Sequence, residues 1–192
     1  MKIGVLGIQG AIQEHLLALN SAGAEAIWVK DSKELSSVKA LVMPGGESTT
    51  MIRLLKRFEM WELLKERLKS GMPAFATCAG MILLSKAIEN VSNQDSLSAL
   101  DISVKRNGYG RQINSFEADI QIDEIGTEPF RAVFIRAPKI ESTGREVAVL
   151  ASYDGSPVLV RQNRVIAASF HPELTDDLRI HKYFLEIAES VK

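Results

Sequence analysis

The chain has 192 residues, 46% of them hydrophobic, and carries a formal net charge of −1 at pH 7. This length suits one domain with a substantial core, and we expect a single domain over residues 1–192. A charge so close to zero gives no general attraction to nucleic acid or to an anionic membrane surface. No apolar run approaches the roughly 20 residues that are needed to cross a bilayer.

A cytoplasmic location is expected from the cysteine content and from the first residues. Cys78 is the only cysteine, so an internal disulfide bond cannot form and nothing indicates an oxidising compartment. Residues 1–10 lack an apolar stretch long enough for the core of a signal peptide. We therefore expect a soluble cytoplasmic protein.

The first half of the sequence alternates short apolar strands with amphipathic helices. The pattern predicts strands at 2–6, 25–29, 40–43 and 73–77, and helices at 11–22, 49–57, 60–70 and 79–87. These strands are apolar on both faces, which is typical of a parallel sheet that helices cover on both sides. We therefore predict an α/β fold, a three-layer sandwich with a mostly parallel central sheet.

The second half is richer in strands, with turns that contain glycine between them. Strands are predicted at 113–122, 132–135, 147–153, 157–161 and 165–170, a surface loop at 89–98, and a closing amphipathic helix at 178–191. The strand at 165–170 is again apolar throughout, so we expect it to join the buried central sheet.

Cys78 lies where the buried strand at 73–77 runs into a helix, which is the layout of a nucleophile elbow. Small residues, Ala76 and Gly80, flank it on both sides, as such a tight turn requires. The start of the helix would favour a thiolate, and the N–H of Ala79 would be free to bind a developing oxyanion. A lone cysteine is more often an apolar core residue, but the elbow context favours a nucleophile.

The chain has three histidines, and one of them is placed to act as the base. His15 and His181 lie within predicted helices and are expected to be solvated or packing residues. His171 directly follows the strand at 165–170, and Glu173 stands two residues later. In an extended segment these two side chains point to the same side, so Glu173 would orient the imidazole, with Pro172 keeping the segment extended. The sequence therefore predicts a Cys78-His171-Glu173 triad.

These residues resemble the class I, triad-type glutamine amidotransferases, whose fold is flavodoxin-like. The resemblance narrows to the glutaminase subunits of pyridoxal 5′-phosphate synthase. It is carried by Gly-Ile-Gln-Gly at 7–10, Pro-Gly-Gly-Glu-Ser-Thr-Thr at 44–50, Thr-Cys-Ala-Gly at 77–80, Arg-Asn at 106–107, Gly-Arg-Gln at 110–112, Ser-Phe-Glu at 115–117, Phe-Ile-Arg-Ala-Pro at 134–138 and Ser-Phe-His-Pro-Glu-Leu-Thr at 169–175. The family usually has glycine where this chain has Ala76, and we expect a slightly tighter elbow there without loss of chemistry.

The resemblance implies a function and a set of site residues. L-Glutamine would be hydrolysed to L-glutamate and ammonia through a thioester on Cys78, without a metal or an organic cofactor. Ammonia would pass to a partner, the (β/α)8-barrel synthase subunit. The oxyanion would be held by Gly46 and Ala79, and glutamine would contact Gly46, Glu47, Ser48, Arg106, Ile135 and Arg136. Whether Arg111, Glu117 and Arg136 serve the glutamine pocket or the partner interface stays open.

Two rival functions and one regulatory hypothesis accompany this prediction. A stand-alone cysteine hydrolase would share the triad, and a regulatory module without catalysis would keep only the fold. Anthranilate, GMP and imidazole-glycerol-phosphate synthases also use glutaminases of this class, but the motifs at 7–10 and 134–138 favour the pyridoxal phosphate system. Because the peptide between Gly45 and Gly46 can rotate at low cost, we hypothesise that the oxyanion hole is completed only when the partner docks.

Overall fold

Residues 1–91, 95–109 and 115–190, which the computed structural model describes, form twelve strands and six α-helices. The strands are β1 (Lys2–Leu6), β2 (Glu25–Val29), β3 (Ala40–Met43), β4 (Ala74–Thr77), β5 (Ser85–Ile88), β6 (Leu100–Lys105), β7 (Ser115–Ile120), β8 (Phe130–Ile135), β9 (Lys139–Thr143), β10 (Ala148–Tyr153), β11 (Ser156–Gln162) and β12 (Val165–Ala168). The helices are α1 (Ile12–Ser21), α2 (Ser32–Ser37), α3 (Ser48–Arg57), α4 (Trp61–Lys69), α5 (Ala79–Leu84) and α6 (Arg179–Glu189).

Seven strands form the central sheet, in the order β10-β11-β12-β4-β3-β1-β2. The five strands from β12 to β2 run parallel, and β11 and β10 are added antiparallel at one edge. A smaller sheet has the order β5-β6-β9, and β7 pairs with β8. The predicted mostly parallel sheet is therefore confirmed.

Side chains that alternate along the central strands enter two different cores. Leu41 and Met43 of β3 join the core formed with α2, α3, α4 and α5, whereas Ala40 and Val42 join the core formed with α1 and α6. All four residues are fully buried. Burial on both faces explains why these strands read as continuous apolar runs, and it confirms the three layers.

The parallel strands also position the site. Because the carboxyl ends of parallel strands lie at one edge of a sheet, the segments that follow β1, β3, β4 and β12 meet there. These segments begin with residues 7, 44, 78 and 169, and they contain most of the motifs found in the sequence. None of the helices in the described ranges combines the length and the apolarity that crossing a membrane requires.

Several predicted elements differ from the structure. The helix predicted at 79–87 ends at Leu84, because Ser85 turns to an extended backbone and begins β5, which pairs with β6. Helix α2 and strands β6 and β9 were not predicted. The strand predicted at 113–122 is observed as Ser115–Ile120, and the motif at 110–112 lies outside the described residues.

Candidate active site

Cys78 occupies a strained turn between β4 and α5. Its φ of +47° and ψ of −108° are rare for a residue with a side chain and cost on the order of 1–3 kcal/mol. The turn is held by the Cys78 N–H, which donates to the Ala168 carbonyl oxygen of β12 at 2.9 Å. Gly80 allows α5 to lie close to β3, since a Cβ at this position would be 2.2 Å from the carbonyl oxygen of Met43. The chain therefore lifts the thiol above the sheet edge.

His171 follows β12, the strand beside β4, and is fixed at both backbone and side chain. Its N–H donates to the Val133 carbonyl oxygen at 2.8 Å, and its Nδ1 lies 2.7 Å from Oε1 of Glu173. The sequence predicted an extended segment between these two residues, but Pro172–Leu174 form a 3₁₀ turn instead. The turn keeps the two side chains in contact, so the predicted pair forms by a different local geometry.

The charges of this group support an imidazolium between the thiol and the carboxylate. Burial lowers the pKa of His171, but the hydrogen bonds and charges of Cys78 and Glu173 outweigh it and raise this pKa to about 10. Burial raises the pKa of Glu173, whereas His15 and His171 lower it, and the net direction is downward. Glu173 is thus an ionised carboxylate beneath the ring.

Gly45 brings the loop after β3 against both catalytic side chains. A Cβ at Gly45 would lie 2.6 Å from Cε1 of His171 and 3.3 Å from Cβ of Cys78. The N–H of Gly45 donates to Oγ1 of Thr77, the residue before the nucleophile, at 3.1 Å. Only glycine allows this approach without moving the imidazole.

The loop after β1 supports the loop after β3. Oε1 of Gln9 accepts the N–H of Glu47 at 3.1 Å. A Cβ at Gly10 would lie 1.7 Å from the carbonyl oxygen of Gly45, so the two backbones are in direct contact. Gly46, between these anchored residues, has a φ of +158°, which side-chain-bearing residues rarely adopt. The motif at 7–10 therefore shapes the loop that carries Gly46.

A cavity of about 480 Å³ opens beside Cys78 and His171. Every site residue predicted from the sequence lines it except Glu173, which is buried behind the imidazole. The predicted residues that line it are Gly46, Glu47, Ser48, Cys78, Ala79, Arg106, Ile135, Arg136 and His171, and the others are Gln9, Gly10, Ile82 and Asn107. As the first residue of α5, Ala79 has an N–H without an acceptor inside the helix.

Polar groups of opposite charge stand at fixed places in this cavity. Nη2 of Arg106 donates to Oγ of Ser48 at 2.8 Å and to Oγ1 of Thr49 at 3.2 Å. Glu47 caps α3 by accepting the N–H groups of Thr49 and Thr50. Burial raises the pKa of Glu47, but these hydrogen bonds outweigh it and lower it to about 2. The cavity therefore holds a cation and an ionised carboxylate in defined positions.

A family model matches residues 5–190, and its description is the SNO glutamine amidotransferase family. The chain belongs to the SNO glutamine amidotransferase family. Relatives within the family carry the name pyridoxal 5′-phosphate synthase subunit PdxT. The one from Kosmotoga olearia is 60% identical over 97% of each chain. The one from Thermotoga maritima is 56% identical over 98% of this chain and 100% of its own length.

Solved structures agree with the family. The chain is similar to a structure titled glutamine amidotransferase, with a TM-score of 0.92 and 45% identity over 97% of this chain and 98% of the other. It also resembles the structure of PurLQS from Thermotoga maritima, with a TM-score of 0.70 and 16% identity over 100% and 98% of the two chains. The second likeness shows the fold alone. The resemblance stated from the sequence and the class I fold are thus confirmed, and the chain is a glutamine amidotransferase.

Three residues around the site were assigned no catalytic or binding role from the sequence. Gln9 and Thr77 lay inside quoted motifs, where each holds the loop after β3 by a single hydrogen bond. His15 was expected to be a solvated or packing residue; it is fully buried, and its Nε2 lies 3.4 Å from Oε2 of Glu173. The available signal was its spacing, because His15 lies on the same helix face as Ile12 and Leu19.

The structure distinguishes two of the three residues that could serve either the glutamine pocket or the partner interface. Glu117 is exposed on β7 and pairs with Arg131 at 2.9 Å, and it does not line the cavity. Arg136 is exposed at the cavity, with a φ of +43°. Arg111 lies outside the described residues. Within the described ranges, no three His, Cys, Asp or Glu side chains are grouped so that they could hold a metal ion.

Proposed function

We propose that this chain is the glutaminase subunit of a pyridoxal 5′-phosphate synthase, and that Cys78, His171 and Glu173 form its catalytic triad. The observation that carries the proposal is Cys78 in a strained elbow beside His171, whose Nδ1 lies 2.7 Å from Glu173. The relatives named pyridoxal 5′-phosphate synthase subunit PdxT, at 56–60% identity, support the choice of complex.

The reaction proceeds in two halves. The Cys78 thiolate attacks the side-chain amide carbon of glutamine, and protonated His171 gives its proton to the departing ammonia. The γ-glutamyl thioester is then hydrolysed by water, which His171 activates as a base, and glutamate leaves. Glu173 keeps Nδ1–H of the ring in place, so that Nε2 faces the reacting atoms in both halves.

The oxyanion of each tetrahedral intermediate is held by the N–H groups of Ala79 and Gly46 in this proposal. The role of Ala79 is supported by its place as the first residue of α5, where its N–H has no acceptor inside the helix. Gly46 lies between two anchored N–H groups, those of Gly45 and Glu47. The peptide between the two glycines is the element that rotates when the partner docks.

Glutamine fits the cavity by its charges. Its α-carboxylate suits Arg106, since a guanidinium binds a carboxylate through two parallel hydrogen bonds. Its α-ammonium suits the ionised Glu47, and Ser48, Ile135 and Arg136 complete the wall. Ammonia then passes to the synthase subunit, a (β/α)8 barrel. A cytoplasmic location is part of the proposal, because a catalytic thiol has to stay reduced.

The proposal is tested by following glutamate release with and without a candidate synthase subunit. We expect Cys78→Ala to abolish the reaction and the synthase subunit to increase the wild-type rate. Ser85→Ala is a matched control, since it also removes one buried polar atom but lies at the far end of α5. Full activity of Cys78→Ala would overturn the triad, and equal wild-type rates with and without the synthase would overturn the rotation of Gly46.

A further inference from the structure

A second imidazole contacts the carboxylate of the triad. His15 of α1 has 0% exposure, and its Nε2 lies 3.4 Å from Oε2 of Glu173. His171 uses the other oxygen, Oε1, at 2.7 Å. Oε2 of Glu173 accepts no hydrogen bond from any described residue, so its contact with Nε2 of His15 is one of distance and charge. An imidazole thus stands on each side of one buried carboxylate.

His15 also contacts the strand that ends in the nucleophile. Its Nε2 lies 3.3 Å from Oγ1 of Thr77, and the same hydroxyl oxygen accepts the N–H of Gly45 at 3.1 Å. Thr77 precedes Cys78, and Gly45 precedes Gly46. Nε2 of His15 therefore contacts both Glu173 and Thr77, and through Thr77 it is linked to the loop after β3.

The position of the proton on His15 follows from its neighbours. Burial lowers the pKa of His15, and His171 acts in the same direction, while Glu173 and Glu14 oppose them, so the ring is neutral. Nδ1 of His15 lies 3.1 Å from Nε2 of His181, so one of the two rings donates to the other. Burial, together with His15, lowers the pKa of His181 to about 3 and keeps that ring neutral as well.

The two possible arrangements of protons differ in whether they leave a buried N–H without an acceptor. If His15 carried its proton on Nδ1, the lone pair of Nε2 would face the carboxylate, and His181 would carry its proton on Nδ1. That atom is buried and has no hydrogen-bond partner among the described residues, and a buried N–H without an acceptor is costly. With both protons on Nε2, His181 donates to Nδ1 of His15. Nε2–H of His15 then donates to Oγ1 of Thr77 and faces Oε2 of Glu173.

We propose that His15 is a positioning residue of the triad: its ring, held by Thr77, packs against Oε2 of Glu173 at 3.4 Å and thereby keeps the carboxylate in place for His171. This inference rests on the proposed function. Without His15 the carboxylate can rotate about its own axis, and Nδ1–H of His171 loses its fixed acceptor. The glutamine site lies on the other side of His171, so substrate binding is unaffected while the chemical step slows.

The test compares three variants in the complex with the synthase subunit. His15→Leu removes the imidazole, and His15→Gln keeps an N–H at a similar reach. Phe184→Leu is the control, because it removes an equally buried ring of α6 that has no polar contact with the triad. We expect His15→Leu to lower kcat about tenfold or more with KM within about twofold. His15→Gln should recover most of the rate, and Phe184→Leu should lose stability but little rate. Equal losses of kcat in His15→Leu and Phe184→Leu, or an unchanged kcat in His15→Leu, would overturn the proposal.

A second measurement tests the proposal even if His15→Leu does not fold or if wild type proves inactive on glutamine. The chain has three histidines, so nitrogen NMR of the wild-type rings resolves each tautomer, with His181→Leu and His15→Gln as assignment variants. We expect His15 to carry its proton on Nε2 at neutral pH. A proton on Nδ1, or on both nitrogens, would refute the positioning role, whereas absent glutaminase activity alone would refute the proposed function.

Discussion

At the scale of single residues, the triad is the exposed end of a larger buried polar network. His171 is 9% exposed, Glu173 6%, and His15, His181 and Thr77 are at 0%. Buried polar groups of this kind are costly unless they are hydrogen-bonded, and here each one contacts at least one other member. The network thus holds His171 in one orientation before substrate arrives.

The neutral histidines of the network make unfolding sensitive to acid. The pKa of His181 is about 3 in the folded chain, below its ordinary value of 6.5. The unfolded chain therefore binds more protons between these values, so the contribution of His181 to stability is complete above pH 6.5 and falls as the pH drops toward 3. One such group costs about 1.4 kcal/mol of unfolding free energy per pH unit in that window.

Urea unfolding of wild type and His181→Leu at about pH 7 and pH 5 measures this dependence. We expect wild type to lose roughly 2 kcal/mol more than the variant between the two conditions. His171 does not mask the effect, because its pKa is raised to about 10 and its contribution is lost only as the pH rises above 6.5. Parallel losses in the two proteins would contradict a neutral, buried His181.

The sequence predicted part of this network. The spacing of His171 and Glu173 predicted their contact, although the 3₁₀ turn between them was not foreseen. The contacts of His15 were not predicted, because the residues it contacts are 62, 158 and 166 positions away along the chain. Contacts of that kind arise from the order of strands in the sheet, which no local pattern specifies.

At the scale of elements, the loop after β3 is the least tolerant of change. A Cβ at Gly45 would lie 2.6 Å from Cε1 of His171. We expect Gly45→Ala to displace the imidazole and to lower kcat about a hundredfold, since a displacement of roughly 1 Å has that effect on catalysis. Gly4→Ala is the matched control, because its Cβ would meet Cγ2 of Val29 at the same 2.6 Å inside β1, away from the site.

Kinetics and thermal unfolding of the two glycine variants separate the effects. Gly4→Ala should lose stability by about 1–3 kcal/mol through overpacking and keep its kcat. Gly45→Ala should lose activity beyond any loss of stability. A wild-type kcat in Gly45→Ala would show that the imidazole can move aside without cost, and the close contact would then have no catalytic meaning.

Local signals explain which elements could be foreseen. The apolar strands and amphipathic helices of the parallel sheet were predicted to within a few residues. Helix α2 was missed although Asp31 and Glu34 form a capping pair, with Asp31 accepting the N–H of Glu34 at 2.8 Å. The end of α5 was placed too late, because pairing of Ser85 with Leu100 overrides a sequence that suits a helix.

At the scale of the whole molecule, the strand order assembles the site from separate segments. Strand β4 lies between β3 and β12, so Cys78, Gly45 and His171 become neighbours at one sheet edge. The fold is shared with a structure titled glutamine amidotransferase, with a TM-score of 0.92. The sequence predicted the parallel sheet, but only the structure shows which strands are adjacent.

The central claim is that Cys78 forms a covalent γ-glutamyl thioester. Rapid acid quenching of the complex during glutamine turnover, followed by mass spectrometry of the peptide that contains Cys78, tests it most directly. We expect one γ-glutamyl group on Cys78 in wild type and none in Cys78→Ala, which also releases no glutamate. Glutamate release at the wild-type rate without any adduct on Cys78 would contradict the account.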